Sequence, residues 1–193
     1  NREERIQGLR IFCEYRDQRS FPLLLPLLDQ PCPVERMSAV YALGRNPCPS
    51  AVQKLVSLLK TDDNAYVRRA TAWSLANYDN QIVLEPLINA LKNDVAAVRL
   101  WSSSSLAEIG NVSFENAQLA AEQLLISLKI DNESGVRSNC IWSLCRLYEK
   151  LNNTFQESFV DECTKIALFD KEPSVMEEAK TALDSMGMQG FYN

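Results

Sequence analysis

Three residue types in this chain invite a chemical reading: six cysteines, three tryptophans and arginines that recur at near-constant spacing. Two loops repeat the tripeptide Pro-Cys-Pro, at Pro31-Cys32-Pro33 and Pro47-Cys48-Pro49. Such a pair suggests a metal or redox centre. The stretch between them, residues 34–46, reads as helix and would rise about 18 Å, whereas disulfide-linked Cα atoms lie roughly 4.4–6.8 Å apart. Cys32 and Cys48 therefore belong on opposite edges, with Cys13 on the Cys48 edge one repeat away. Cys13, Cys32 and Cys48 stand as candidates for a metal or cluster contact shared with a partner. Cys140 occupies a small core slot, Cys145 points about 140° away from it, and Cys163 falls on a different helix row. The chain has no histidine. That excludes Ser-His-Asp and Cys-His catalysis, histidine-ligated metals and histidine proton transfer. There is no CxxC, GxGxxG, phosphate-loop or HExxH pattern,. Adjacent carboxylates such as Asp62 and Asp63, or Glu177 and Glu178, diverge by about 100° on a helix and form no acid–base couple,. No catalytic residue is assigned, and no resident cofactor or metal is expected.

The elements that would position the remaining candidates follow from a repeat. The stretch Val67-Arg68-Arg69-Ala70-Thr71-Ala72-Trp73-Ser74-Leu75 recurs down the chain. Anchored on the arginine and the leucine seven residues later, the copies are Arg2/Leu9, Arg36/Leu43, Arg68/Leu75, Arg99/Leu106 and Arg137/Leu144, with a degenerate Met176/Leu183. Valine precedes the anchor at Val67, Val98, Val136 and Val175, and a small residue follows three later at Ala39, Thr71, Ser102, Cys140 and Ala179. Steps of 31–39 residues with these slots predict a helical solenoid,. Second helices lie between the anchor helices, over 21–28, which is short and proline-marked, 50–60, where Val52, Leu55, Val56, Leu58 and Leu59 form a helical apolar stripe, 81–92, 114–130 and 155–169,. Pro26 is expected to kink the first of these. Asp29, Asp62-Asp63, Asp94, Asp131 and Asp170 mark the turns, and Asp63 and Asp94 are placed to cap the helix that follows,. The expectation is an all-α, right-handed solenoid of antiparallel helix pairs with about eleven helices. It forms one domain over 1–193, divided into a half repeat 1–19 and pairs 20–48, 49–79, 80–111, 112–152 and 153–193.

With the anchor arginine at 0° and 100° per residue, slots +3, +4 and +7 fall within about 60° of it and must face the core. Slots +1, +2, +5 and +9 point away. The +5 slot holds Tyr41, Trp73, Ser104 and Trp142, and Trp101 stands at +2 in the third full copy. All three tryptophans thus fall on the outward side of the anchor helices, where exposed aromatics mark binding surfaces. Arg69 at +1, and Arg45, Asn77, Glu108 and Arg146 at +9, flank them. The candidate partner- or ligand-binding set is therefore Tyr41, Trp73, Trp101, Trp142, Arg45, Arg69, Asn77, Glu108 and Arg146. The alternative reading packs each ring on the neighbouring anchor helix, since adjacent helices lie about 8–10 Å apart. Tyr78 and Tyr148 turn back toward the core. The final residues 186–193 break the repeat and read as a terminal cap or an apolar tail that docks.

The pattern Asp-x4-Val-Arg-x2-Ala/Ser-x3-Leu, followed by Leu/Val-x-Pro-Leu-x2-Ala-Leu, resembles the HEAT repeat over nearly the whole chain. The copy from Asp63 to Leu91 resembles the short HEAT-like repeats of the phycobilin lyase family. The resemblance implies an α-solenoid with a concave groove and a stacked Asp/Arg ladder in which the anchor arginines are framework. It further implies a partner protein in the groove or, in lyase-like members, a linear tetrapyrrole delivered to a client cysteine. Related proteins assist iron–sulphur carriers. The leading expectation is a protein-binding adaptor or scaffold. The alternatives are a lyase-like or chaperone-like subunit handling a bilin, and an auxiliary protein for an iron–sulphur carrier. Residues are 46% apolar and 23% charged, as in folded proteins,. The net charge of -5 argues against nucleic acid as a partner,. No stretch reaches the roughly 20 apolar residues of a membrane span, and the charged start Asn1-Arg2-Glu3-Glu4-Arg5 is unlike a signal peptide,. Membrane insertion is not expected, the cysteines are expected reduced, and the expected location is cytoplasmic.

Overall fold

The computed structural model describes residues 2–78, 81–188 and 190, without the side chains at positions 2 and 18. Among them are eleven α-helices and no strand. In chain order they are α1 (Arg2–Glu14), α2 (Phe21–Leu24), α3 (Pro33–Arg45), α4 (Val52–Thr61), α5 (Ala65–Leu75), α6 (Leu84–Asn93), α7 (Ala96–Gly110), α8 (Phe114–Ile130), α9 (Ser134–Leu147), α10 (Asn153–Phe169) and α11 (Pro173–Ser185). The fold is an all-α repeat array. Its contacts cluster into two compact units, Asn1–Ser105 and Leu106–Asn193, and the division falls inside α7. In the first unit the anchor helices α1, α3 and α5 pack side by side, α4 pairs with α5, and α4 touches α6. In the second, α9 packs on α11, α8 pairs with α9, α10 pairs with α11, and α8 touches α10.

The helix ends are set locally. Pro33 and Pro173 open α3 and α11, where the missing N–H has no helical partner to lose,. The side chains of Ser113 and Asn152 cap α8 and α10 by accepting the N–H groups of Asn116 and Phe155,. One expectation fails at Pro26. Residues 21–28 are not a single kinked helix. They form the four-residue α2 and then a 3-10 turn, Leu25–Asp29. Proline has no N–H to give and its ring crowds the carbonyl four residues back, so the tighter turn takes over. A second correction concerns Asp63, which is exposed and does not cap α5. Asn64 does so, accepting from the N–H groups of Tyr66 and Val67. At α11 the chain closes on Gly187, at φ 77°, with the Met188 N–H on the Leu183 carbonyl at 2.9 Å. This left-handed closure suits glycine. Residues 189 and 191–193, the rest of the stretch expected to cap or dock, lie outside the described residues, as does the side chain of the first anchor, Arg2.

The repeat slots are the core. Leu43, Leu75, Leu106, Leu144 and Leu183 are fully buried, and so are Ala39, Thr71, Ser102, Cys140 and Ala179. Val67, Val98, Val136 and Val175 fill the slot before the anchor and are shut from solvent. In α3 that slot holds Glu35, equally buried. Its carboxylate accepts the Arg5 Nε at 2.8 Å and lies 2.7 Å from a second Arg5 nitrogen, which offsets the cost of an internal charge,.

The anchor arginines tie successive pairs together. Arg36 reaches both carboxylate oxygens of Asp62 at 2.7 and 2.8 Å. Arg68 reaches Asp94 at 2.8 and 2.7 Å, and Arg137 reaches Asp170 at 3.1 and 2.8 Å. The remaining arginine nitrogen donates to backbone carbonyls of its own turn: Gln30 for Arg36, Asp62 for Arg68, Asp131 for Arg137 and Asp94 for Arg99. Asp62, not its neighbour Asp63, is the member of the ladder. Burial works against ionisation of Asp62, but the hydrogen bonds from Arg36 and the Asn64 N–H, with the arginine charge, outweigh it and hold the carboxyl below its ordinary pKa. Asp170 is held down in the same way against burial by Arg137 and the Glu172 N–H.

Candidate functional site

In residues 1–105 the structure gathers most of the candidates around one indole. Trp73 is half-buried on α5, and its ring lies 5.3 Å from that of Tyr41, tilted by 53°. The guanidinium of Arg45 sits over it at 5.3 Å from the ring centre. The ring also covers Gly44: a Cβ there would stand 2.5 Å from the Trp73 Cζ3. Trp73 thus packs on α3 while part of it faces outward. Arg69 donates to the Tyr41 hydroxyl at 3.3 Å and stacks over Tyr66 at 5.6 Å. Its buried Nε finds no acceptor among the described residues. Asn77 is exposed and bonds the Trp73 and Ser74 carbonyls at 3.4 Å. Trp101, at +2 on α7, is 36% exposed.

In residues 106–193 the candidates form a smaller group. Trp142 on α9 is 40% exposed. Arg146 lies over it at 4.9 Å and pairs with Glu108 at 2.8 Å, both ends of the pair half in solvent. The guanidinium is thereby held over the ring face, an attraction worth about 0.5–1 kcal/mol at exposed sites.

Comparison of equivalent slots shows that these rings are not demanded by the framework. Ser104 stands at +5 in α7, where Trp142 stands in α9, and Ser38, Ala70 and Asn139 stand at +2, where α7 has Trp101. The anchor helices bury more of their circumference than a wheel with one core side allows. Ala42, Ser74, Ser105 and Ser143 at +6 are buried too, and the Ser105 hydroxyl donates to the Ala72 carbonyl at 2.8 Å. Small residues at +6, together with Gly44 at +8, were the available signal that neighbouring anchor helices approach closely.

The cysteines stay apart from this surface. Cys32 is the residue before α3 and Cys48 follows that helix, buried and within 2.9 Å of the Ser50 hydroxyl. The Cys13 thiol donates to the Leu9 carbonyl, and burial raises its pKa despite Arg45. Among the described residues no three His, Cys, Asp or Glu side chains form a group that could hold a metal. Burial also pushes the Cys145 thiol up to about 11, and Cys163 upward as well, which keeps both as unreactive thiols,. Tyr78 is structural: its hydroxyl donates to the Leu43 carbonyl and accepts the Cys48 N–H, and burial pushes it up to about 12. Among the described residues no helix is long and apolar enough to cross a membrane.

A family model for HEAT repeats matches residues 1–76 and 52–145. No curated protein matches the chain. Among solved structures, the chain is similar to the complex of CpcE and CpcF of phycocyanin lyase from Nostoc sp. PCC7120, with a TM-score of 0.67 and 23% identity over 86% of this chain and 99% of that one. It is also similar to a designed armadillo repeat protein in complex with the peptide (KR)4, with a TM-score of 0.66 and 20% identity over 97% of this chain and 91% of that one. An engineered protein follows at a TM-score of 0.65 and 21% identity, over 94% and 90% of the two chains. At such identities the likeness is one of fold.

Proposed function

Because the chain belongs to the HEAT-repeat family, we propose that it is a non-catalytic adaptor that holds a partner protein against the aromatic and arginine side chains of its anchor helices. The observation that carries this reading is the pairing of guanidinium with indole, Arg146 on the exposed Trp142 and Arg45 on the half-buried Trp73. Tryptophan, tyrosine and arginine dominate the energetics of protein interfaces. Side chains already stacked lose less freedom when a partner arrives. Each unit offers its own surface: Tyr41, Arg45, Arg69, Trp73, Asn77 and Trp101 in the first, Glu108, Trp142 and Arg146 in the second. The armadillo neighbour is in complex with a peptide, which fits a protein ligand here.

The test replaces Trp101 and Trp142 by serine, a residue that other copies already carry at those slots. Circular dichroism and melting temperature should be unchanged, and a partner isolated on the unaltered chain should bind the double variant at least about tenfold more weakly. Equal binding by the two proteins would remove the reading.

A second reading is favoured by the same ring-and-guanidinium geometry and by the phycocyanin lyase neighbour. In it the surface clamps a linear tetrapyrrole, with Arg45, Arg69 or Arg146 on the propionates. A shift in the visible absorption of a bilin on mixing with the protein, lost in an Arg45→Ala/Arg146→Ala variant, is its expected outcome. An unchanged spectrum would discard it.

A further inference from the structure

The repeat supplies an internal control at one position. Four of the second helices, those between anchor helices, end on the residue just before the turn aspartate: Thr61 for α4, Asn93 for α6, Ile130 for α8 and Phe169 for α10. The aspartate that follows, Asp62, Asp94, Asp131 or Asp170, ends the helix in an extended conformation each time. Thr61 donates to the Ser57 carbonyl at 2.9 Å, and Asn93 donates to the Asn89 side chain at 2.8 Å. Polar residues bonded within their own helix therefore satisfy this slot. In residues 106–193 it is filled instead by Ile130, 72% exposed, and Phe169, 80% exposed. Neither ring nor branched side chain contributes its burial energy there, so packing within the chain does not account for them.

Ile130 and Phe169 face one open depression of about 460 Å³. Its floor is the Arg137–Asp170 pair, whose side chains are almost fully buried. Its rim carries Lys129, Lys165 and Lys171, all exposed. The carboxylates in the lining are engaged: Asp170 by Arg137, Asp131 by the Glu133 N–H at 3.0 Å, and the mostly buried Glu162 lies 3.8 Å from Lys165. The formal charges of the lining, Lys129, Arg137, Lys165 and Lys171 against Asp131, Glu162 and Asp170, leave a net charge of +1, on a chain whose net charge is -5. The corresponding depression over Arg68 and Asp94, about 350 Å³, is lined by Lys60, Asn89 and Asn93 and has neither the apolar pair nor the further lysines.

We propose that the depression between the ends of α8 and α10 binds a short acidic segment of a partner protein. One large apolar side chain of that segment seats between Ile130 and Phe169, and its flanking carboxylates meet Lys129, Lys165 and Lys171. The surface shares no residue with the tryptophan-bearing faces, so it is a second and independent docking point. Burial of the two exposed side chains by the anchor supplies the apolar contribution. The lysines supply orientation and a salt-dependent association rate.

The probe is a fluorescein-labelled peptide of alternating Asp and Glu with a Leu-Phe pair at its centre, followed by fluorescence anisotropy on the full chain. Binding is expected to weaken with added salt. The Ile130→Thr/Phe169→Asn variant installs what the slot holds in residues 1–105, so it should fold unchanged by circular dichroism while losing at least about tenfold in affinity. Lys129→Glu/Lys171→Glu should lose as much, and a Trp101→Ser/Trp142→Ser chain should bind the peptide normally, which separates this site from the adaptor surface. No binding by the unaltered chain at about 1 mM protein, equal binding by the Ile130/Phe169 variant, or equal binding of the same peptide with lysine in place of Asp and Glu would overturn the proposal. A concentration-dependent dimer in sedimentation, abolished by Phe169→Asn, would overturn it too, by placing a second copy on the patch.

Discussion

At the scale of single residues, the contact of Trp73 with Gly44 decides how α3 and α5 meet. A methyl group at position 44 would stand 2.5 Å from the indole and 3.1 Å from the Ser74 Cα. The indole can swing, but the backbone contact cannot be relieved without moving a helix. Gly44→Ala gains about 1 kcal/mol of helix propensity and loses about 1–3 kcal/mol to overpacking. We expect a net loss of about 1 kcal/mol, with the Trp73 emission moving toward that of a wetter ring. A melting temperature that rises would show that the helices accommodate the methyl. This close approach was only half legible in the sequence. Slots -1, +3, +4 and +7 announced their burial because valine, small residues and leucine recur there. Slots +6 and +8 did not, because a helical wheel credits each helix with one buried side, and α3 has neighbours in α1, α2 and α5. For the same reason Trp73, read as outward at +5, is both seam-packed and outward, whereas Trp101 and Trp142 keep the exposure that the wheel assigned.

At the scale of elements, the arginine ladder explains why the second helices are followed by aspartate. A carboxylate at a helix C-terminus is unfavourable beside the exposed carbonyls. The guanidinium reverses this by meeting the carboxylate while donating to carbonyls of its own turn. Asp62→Asn keeps the shape and removes the charge. With the Asp62 and Arg36 side chains almost buried, it should cost about 2 kcal/mol at neutral pH. The pH dependence follows from the lowered Asp62 and Asp170 pKa values. A carboxyl depressed on folding stabilises fully above its unfolded pKa of about 3.9 and loses that contribution as pH falls through the folded value. The gap between the melting temperatures of the two proteins should therefore narrow progressively as pH falls below about 3.9. A constant gap between them down to pH 2 would show that the rung does not act through ionised Asp62. The sequence placed the turn here correctly but gave the cap to Asp63. Both carboxylates lie near Arg68, and only the path of the chain shows that Asp62 serves the preceding Arg36 while Asn64 takes the cap.

At the scale of the whole molecule, the repeat pattern made eleven helices legible because each copy buries the same slots. The division at Ser105 and Leu106 has no such mark, since it falls within α7, where the helical pattern runs on unbroken. Repeat arrays are stabilised by each unit and its nearest neighbours. Leu144→Ala empties a fully buried site on α9 and should cost about 3 kcal/mol. Amide exchange should quicken in α8, α9, α10 and α11, with α3 and α4 protected as before. A uniform loss along the chain would mean that the array opens as one block. The ladder also fixes where length can vary. Arg36 and Asp62 are 26 residues apart, as are Arg68 and Asp94, whereas Arg137 and Asp170 are 33 apart at nearly the same contact distances. The extra chain is absorbed at the opposite edge. There Gln118 of α8 clasps the inserted turn, donating to the Lys150 carbonyl at 2.7 Å and accepting the Asn152 N–H at 3.0 Å. Within residues 106–193 the rung thus serves as a datum from which the chain is measured, and the free margin lies across from it. A foreign loop grafted between Val112 and Ser113, ahead of the α8 cap, should leave the melting temperature almost untouched, whereas the same graft after Asp62 dismantles a rung.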